Sequence, residues 1–103
     1  MKIGIIIPYF GKMPNYFQLF LDSCSMNKKF EWLVFSDDNS EFCYPENVHF
    51  FAMTFQECKT LIQSKFDFQI ELTNPQKLCD YKCAYGLIFE KFLSKYDWWG
   101  YCD

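Results

Sequence analysis

The chain has 103 residues, a mass of 12.5 kDa and a formal charge of −3. Half of it is apolar and 22% is aromatic, with 13 Phe, 7 Tyr and 3 Trp, which excludes a disordered tail, a linker or a low-complexity array. All the cations are Lys, so the chain lacks the guanidinium fork that nucleic-acid readers favour, and no nucleic-acid partner is expected.

Lys2–Ile7 is a continuous β-branched run, the pattern of a central strand covered on both faces, with Pro8 expected to close it. Pro14 suits the first turn of a helix, and Tyr16, Phe17, Phe20, Leu21 and Cys24 recur at helical spacing, which predicts a helix over 14–26. Phe30–Phe35 reads as a second strand, stopped by the turn formers Ser36 to Ser40. Val48–Met53 is a third. Thr54 and Glu57 form a capping box that opens a helix continued by Phe55, Cys58, Ile62 and Phe66. Phe66, Phe68, Ile70 and Leu72 alternate, as in a short edge strand or an extended loop. After the break at Asn74 and Pro75, Tyr81, Ala84 or Tyr85, Ile88 and Phe92 predict a further helix to about Lys95. Trp98–Asp103 is then an aromatic strand.

This order predicts an α/β fold with a mostly parallel sheet, in a single unit over 1–103. The strand at 2–7 should lie inside the sheet, beside the strand at 30–35. The last strand is not followed by a helix, so more protein is expected after Asp103. The amino terminus lacks an apolar stretch long enough for a signal peptide, and no run approaches the about 18 residues that span a bilayer. The six cysteines are therefore expected as thiols.

Three groups fall at predicted carboxyl strand ends: Tyr9, Phe10 and Gly11; Asp37 and Asp38; and Asp103. Carboxylates converging there suit a nucleotide bound with Mg²⁺ or Mn²⁺, whose hard character matches carboxylate oxygen. The competing reading of Asp37 and Asp38 is an ordinary turn. Asp80 is either a helix N-cap or a contact to a ribose or sugar hydroxyl, with Lys77 or Lys82 facing phosphate. Neither a Walker loop nor a dinucleotide fingerprint is present. Cys79, Cys83 and Cys102 suggest zinc only weakly, because their spacing is not that of a knuckle and the only His, His49, is distant in sequence. His49 reads as a packed or partly exposed strand residue.

The stretches Lys77–Gly86 and Tyr96–Asp103, with Ile5–Gly11 and the strand ending Ser36-Asp37, resemble a family of bacterial glycosyltransferases from capsule and lipopolysaccharide gene clusters. The resemblance runs over essentially the whole chain. Cys83 stands where many relatives carry Pro. The resemblance implies a Rossmann-like, three-layer αβα domain of the GT-A type, here its amino-terminal part. It implies a nucleoside diphosphate sugar as donor, with a UDP-sugar expected, and Mn²⁺ or Mg²⁺ held by an Asp-x-Asp motif whose first member matches Asp103. Pro8, Tyr9 and Phe10 would line the base or ribose, Asp37 with Asp38 would face the base, and Asp80 with Lys77 would fix ribose or phosphates. The acceptor would be a glycan or a lipid-linked sugar. The enzyme would be cytoplasmic, with peripheral association to the inner membrane, and residues 1–103 alone would bind without turning over. The alternative is a non-catalytic nucleotide-binding or interaction α/β domain.

Overall fold

The structure, a computed structural model, describes residues 2–102. Four parallel strands, β1 (Ile3–Tyr9), β2 (Phe30–Ser36), β3 (Val48–Ala52) and β4 (Trp98–Tyr101), form one sheet in the order β3-β2-β1-β4. β1 is interior and pairs with β2, as its unbroken apolar run requires. It runs through Pro8 to Tyr9 rather than stopping at the proline. Its ladder with β4 ends at Ile6 opposite Tyr101, so a residue without an N–H is tolerated beyond that point.

Helix α1 (Phe17–Ser25) covers one face of the sheet with Phe17, Leu21 and Cys24, against Ile7, Val34 and Val48. It starts later than the sequence predicts because Pro14 and Tyr16 form a preliminary turn, in which Phe17 N donates to the Pro14 carbonyl. The link from β2 to β3 lacks a helix, and Phe42 and Tyr44 fill the same face.

The opposite face carries the larger core. Helix α2 (Phe55–Gln63) begins at the capping box: Glu57 N donates to Thr54 Oγ1 at 3.0 Å, and Thr54 N donates to Glu57 Oε1 at 2.9 Å. Phe35 lies at the centre of this core, its ring 4.6 Å from Phe89 and 5.0 Å from both Phe51 and Phe92. Between Phe66 and Leu72 the chain forms no strand and bends at Asp67 and Phe68. Its polar backbone bonds to a side chain instead of a ladder, with Gln63 Nε2 donating to the Phe68 carbonyl and Ile70 N donating to Gln63 Oε1.

The largest departure from expectation follows. No helix runs from Tyr81 to Lys95. Residues Pro75–Ala84 form a 3₁₀ helix, followed by a single α-turn, α3 (Tyr85–Ile88), and a 3₁₀ turn at Glu90–Phe92. A 3₁₀ helix repeats every three residues, so its side chains eclipse in three rows. Leu78, Tyr81 and Ala84 make the row against the core. Tyr81 also donates its hydroxyl to the Glu71 carbonyl at 3.1 Å. At Gly86 the Trp99 indole lies so near that an added Cβ would meet its Cε2 at 2.5 Å, so this close approach requires glycine. No helix of the described residues is long and apolar enough to cross a membrane.

Candidate functional site

The chain proceeds from β1 outward to β2 and β3, then returns to place β4 on the other side of β1. The direction of winding therefore reverses between β1 and β4. Adjacent helices leave the sheet on different sides at such a point and open a crevice at the carboxyl strand ends. A crevice of about 300 Å³ lies there. One wall is Ile7, Pro8, Tyr9 and Phe10 at the end of β1, another is Cys102 just past β4, and the third is the 3₁₀ helix.

The three-residue period decides which side chains of that helix take part. Gln76, Cys79 and Lys82 form one row that lines the crevice, joined by Pro75 and Leu78 from the core row and by Tyr85 at the start of α3. The third row, Lys77, Asp80 and Cys83, is exposed and lines no part of it. Of the sequence-predicted residues, Pro8, Tyr9 and Phe10 thus come together in the crevice, and Lys77 and Asp80 do not. Asp80 does not cap a helix either, because it lies inside the 3₁₀ segment rather than before it. Lys82, the alternative cation, is the one that faces inward. Its Nζ lies 5.4 Å from the centroid of the Tyr101 ring. Gln76, Cys79 and Cys102 were not expected as lining residues. The signal for the first two was the step of three through positions 76, 79, 82 and 85 after Pro75, which competes with the α-helical period in the same segment.

Asp37 and Asp38 stand at the end of β2, in a separate crevice of about 210 Å³ with Ser36, Thr54 and Glu57. Their oxygens are engaged by backbone. Asp37 Oδ1 accepts from Gly11 N at 2.9 Å, and Asp38 accepts from Met13 N at 2.6 Å and Ser40 N at 2.9 Å. Hydrogen bonds from Ser40 and from the Met13 amide hold the Asp38 carboxyl below its usual range. Gly11 has φ +102°, a conformation that disfavours other residues. These bonds pin the loop that follows Tyr9 and Phe10, so the two acids shape the main crevice from behind. Phe10 is itself half turned to the core, its ring 5.7 Å from Phe55 in an edge contact.

This chain belongs to the family of unknown function DUF6625, which matches residues 5–103. No curated protein and no solved structure matches it.

Asp103 lies outside the described residues. Among the described residues no group of three or more His, Cys, Asp or Glu could hold a metal ion. The crevice offers thiols, an amide and an ammonium, a donor set that does not fit Mg²⁺ or Mn²⁺. Among its described lining residues Lys82 is the charged one.

A second polar cluster lies at the other end of the sheet. Glu31 Oε1 accepts from Tyr96 Oη at 2.7 Å and is 2.8 Å from His49 Nε2. The Tyr96 hydrogen bond, followed by that of His49, holds the Glu31 carboxyl below its usual range against the opposing effect of burial. Burial first, then Glu31, pushes the Tyr96 phenol up. His49 is thus a half-buried strand residue with a carboxylate partner. The cluster lines none of the crevices described above.

Proposed function

We propose that the crevice between β1 and β4 binds the nucleoside diphosphate of a sugar donor, with a UDP-sugar as the expected ligand, and that the chain is the donor-nucleotide part of a GT-A-type glycosyltransferase. The observation that carries this is a switch-point crevice whose described lining joins aromatic side chains to a single cation. Tyr9 supplies a ring against which a base or ribose can stack. Gln76 offers an amide for hydrogen bonding, and Lys82 faces the diphosphate. In the reaction an acceptor hydroxyl attacks the anomeric carbon, the bond from that carbon to the diphosphate oxygen breaks, and negative charge builds on the leaving group. Lys82 would offset part of that charge. The expected Mn²⁺ or Mg²⁺ depends on Asp103, and no step is routed through it. A surface glycan as acceptor and a cytoplasmic site of action follow from the family resemblance.

The test is a titration of residues 1–103 with UDP, following amide shifts, with and without Mn²⁺. The expected perturbation clusters at residues 8–10, 76, 79, 82 and 102 and changes little with metal. Shifts at the Asp37 crevice alone, or none at millimolar UDP (about 4 kcal/mol of binding), would refute the reading. The alternative of an interaction domain is favoured by β4, whose outer edge exposes Trp98, Trp99 and Tyr101. That reading predicts no UDP shifts.

A further inference from the structure

At the amino ends of the strands the sheet register places Trp98, Ile3 and Phe30 side by side on β4, β1 and β2. Trp32, Ile5 and Cys102 pack with the α1 cluster, so the alternation of side chains along each strand puts this row on the α1 face. Helix α1 ends at Ser25 and leaves the row partly uncovered. Trp98 is 63% exposed, Ile3 and Phe30 are half-buried, and Met26, just past the helix, is 82% exposed. Exposed lysines flank the row: Lys2 directly precedes β1, and Lys28 and Lys29 precede β2, where they border one depression with Met26 and Phe30. We propose that this corner is a peripheral docking surface for a bilayer bearing anionic phospholipid headgroups. The proposal does not depend on the nucleotide reading, since the crevice lies at the other end of the sheet.

The chemistry selects a bilayer over other occupants. Four partly exposed side chains of this kind offer on the order of 400 Å², about half of the about 800 Å² that each partner commits to a stable protein interface. A bilayer demands no shape match and takes up a small apolar patch when cations stand beside it. Indole suits headgroup depth, where its ring meets acyl chains while its N–H stays among polar groups. Lysine stems lie along apolar surface and carry their ammonium groups out to phosphate. The acids in this neighbourhood do not cancel the three lysines. Glu31 lies on the opposite face, held by Tyr96 and His49. Asp97 accepts from the Lys2 amide at 2.8 Å, and Asp22 on α1 accepts from Gln18 at 3.1 Å. Glu46 precedes β3, two strands from β1.

Two contributions combine in this binding. Trp98 and Met26 leave water for the interface, and the three ammonium groups are drawn to the negative surface. A lysine near an anionic leaflet is worth about fivefold in affinity. That part fades within a Debye length, so it is the part that salt removes.

The experiment titrates the chain with vesicles of phosphatidylcholine alone and with vesicles carrying about 30% phosphatidylglycerol, reading co-sedimentation and tryptophan emission. The expected result is binding to the anionic vesicles with a blue shift, at least tenfold weaker binding to the neutral ones, and release at about 0.5 M salt. K28A/K29A should weaken binding about thirtyfold and W98S tenfold or more, both keeping the dispersed amide spectrum of the folded chain. K59A, on α2 at the opposite face, should change it less than twofold. No binding, equal binding to both kinds of vesicle, or a loss in K59A as large as in K28A/K29A would overturn the proposal. Self-association at micromolar concentration that W98S abolishes, without vesicle binding, would assign the surface to a second copy and overturn it as well. Anionic-vesicle binding by a chain that shows no UDP shifts supports the docking surface and refutes the nucleotide reading alone.

Discussion

The three-residue period of the 3₁₀ helix makes Lys77 and Lys82 unequal, although both precede or flank the same turn in sequence. Lys82 faces the crevice and Lys77 belongs to the exposed outer row. The informative perturbation is Lys82→Met beside Lys77→Met, which removes each charge but keeps an aliphatic stem over its neighbours, including the Tyr101 ring. A hydrogen bond to a charged partner contributes about 1.5–3 kcal/mol. The crevice is open to water, so the lower end applies, and at about 1.4 kcal/mol per factor of ten this weakens UDP binding about tenfold. Lys77 acts only through solvent. At one Debye length of about 8 Å in water, a unit charge pair is worth about 0.2 kcal/mol, a change below about 1.5-fold. Calorimetric or amide-shift titration of both variants at about 0.15 M salt reads the difference. Thermal unfolding checks that both remain folded. Equal losses in the two variants, or a larger loss for Lys77→Met, would refute the three-row assignment and with it the lining of the crevice.

Three further outcomes follow from the packing. Because the folded-state Glu31 carboxyl sits below its ordinary value of 4.5, its stabilisation is present above that pH and is lost as pH falls through the folded value. Glu31→Gln should cost about 1 kcal/mol at neutral pH and flatten the acid limb of the stability curve relative to wild type, and an unchanged limb counts against the Glu31–Tyr96–His49 cluster. Gly86→Ala should displace the Trp99 ring, which an added Cβ would meet at 2.5–2.7 Å. That lowers stability by about 1 kcal/mol and shifts indole emission to the red, whereas unaltered emission would show that the ring does not sit on Gly86. Thr54→Ala removes the cap of α2 and should destabilise the chain by about 0.5–2 kcal/mol in urea unfolding, with a smaller effect for the serine variant.

What the amino-acid sequence determined by itself is the set of features that depend on near neighbours. The β-branched run at Ile3–Ile7 specified an interior parallel strand, because residues apolar on both faces are stable only when both faces are covered. The Thr54 and Glu57 pair specified where α2 begins, because both hydrogen bonds close within one turn. Pro8, Tyr9 and Phe10 were legible as lining residues because they directly follow that strand, and carboxyl strand ends are where α/β folds open. Tertiary structure alone decided the rest. The segment from Pro75 to Ala84 is compatible with helical periods of both 3.0 and 3.6, and packing of Leu78, Tyr81 and Ala84 against the core goes with the shorter one, turning Lys82 inward and Lys77 and Asp80 outward. Asp37 and Asp38 read equally as ligands or turn residues until the Gly11 and Met13 amides, distant in sequence, occupy their oxygens. The Tyr96–Glu31 bond joins residues 65 apart, and the shared lining of one crevice by Cys102 and the 3₁₀ helix depends on β4 pairing on the far side of β1 from β2. Such contacts leave no trace in local spacing, because chain entropy sets no preference among distant partners until the sheet order brings them together.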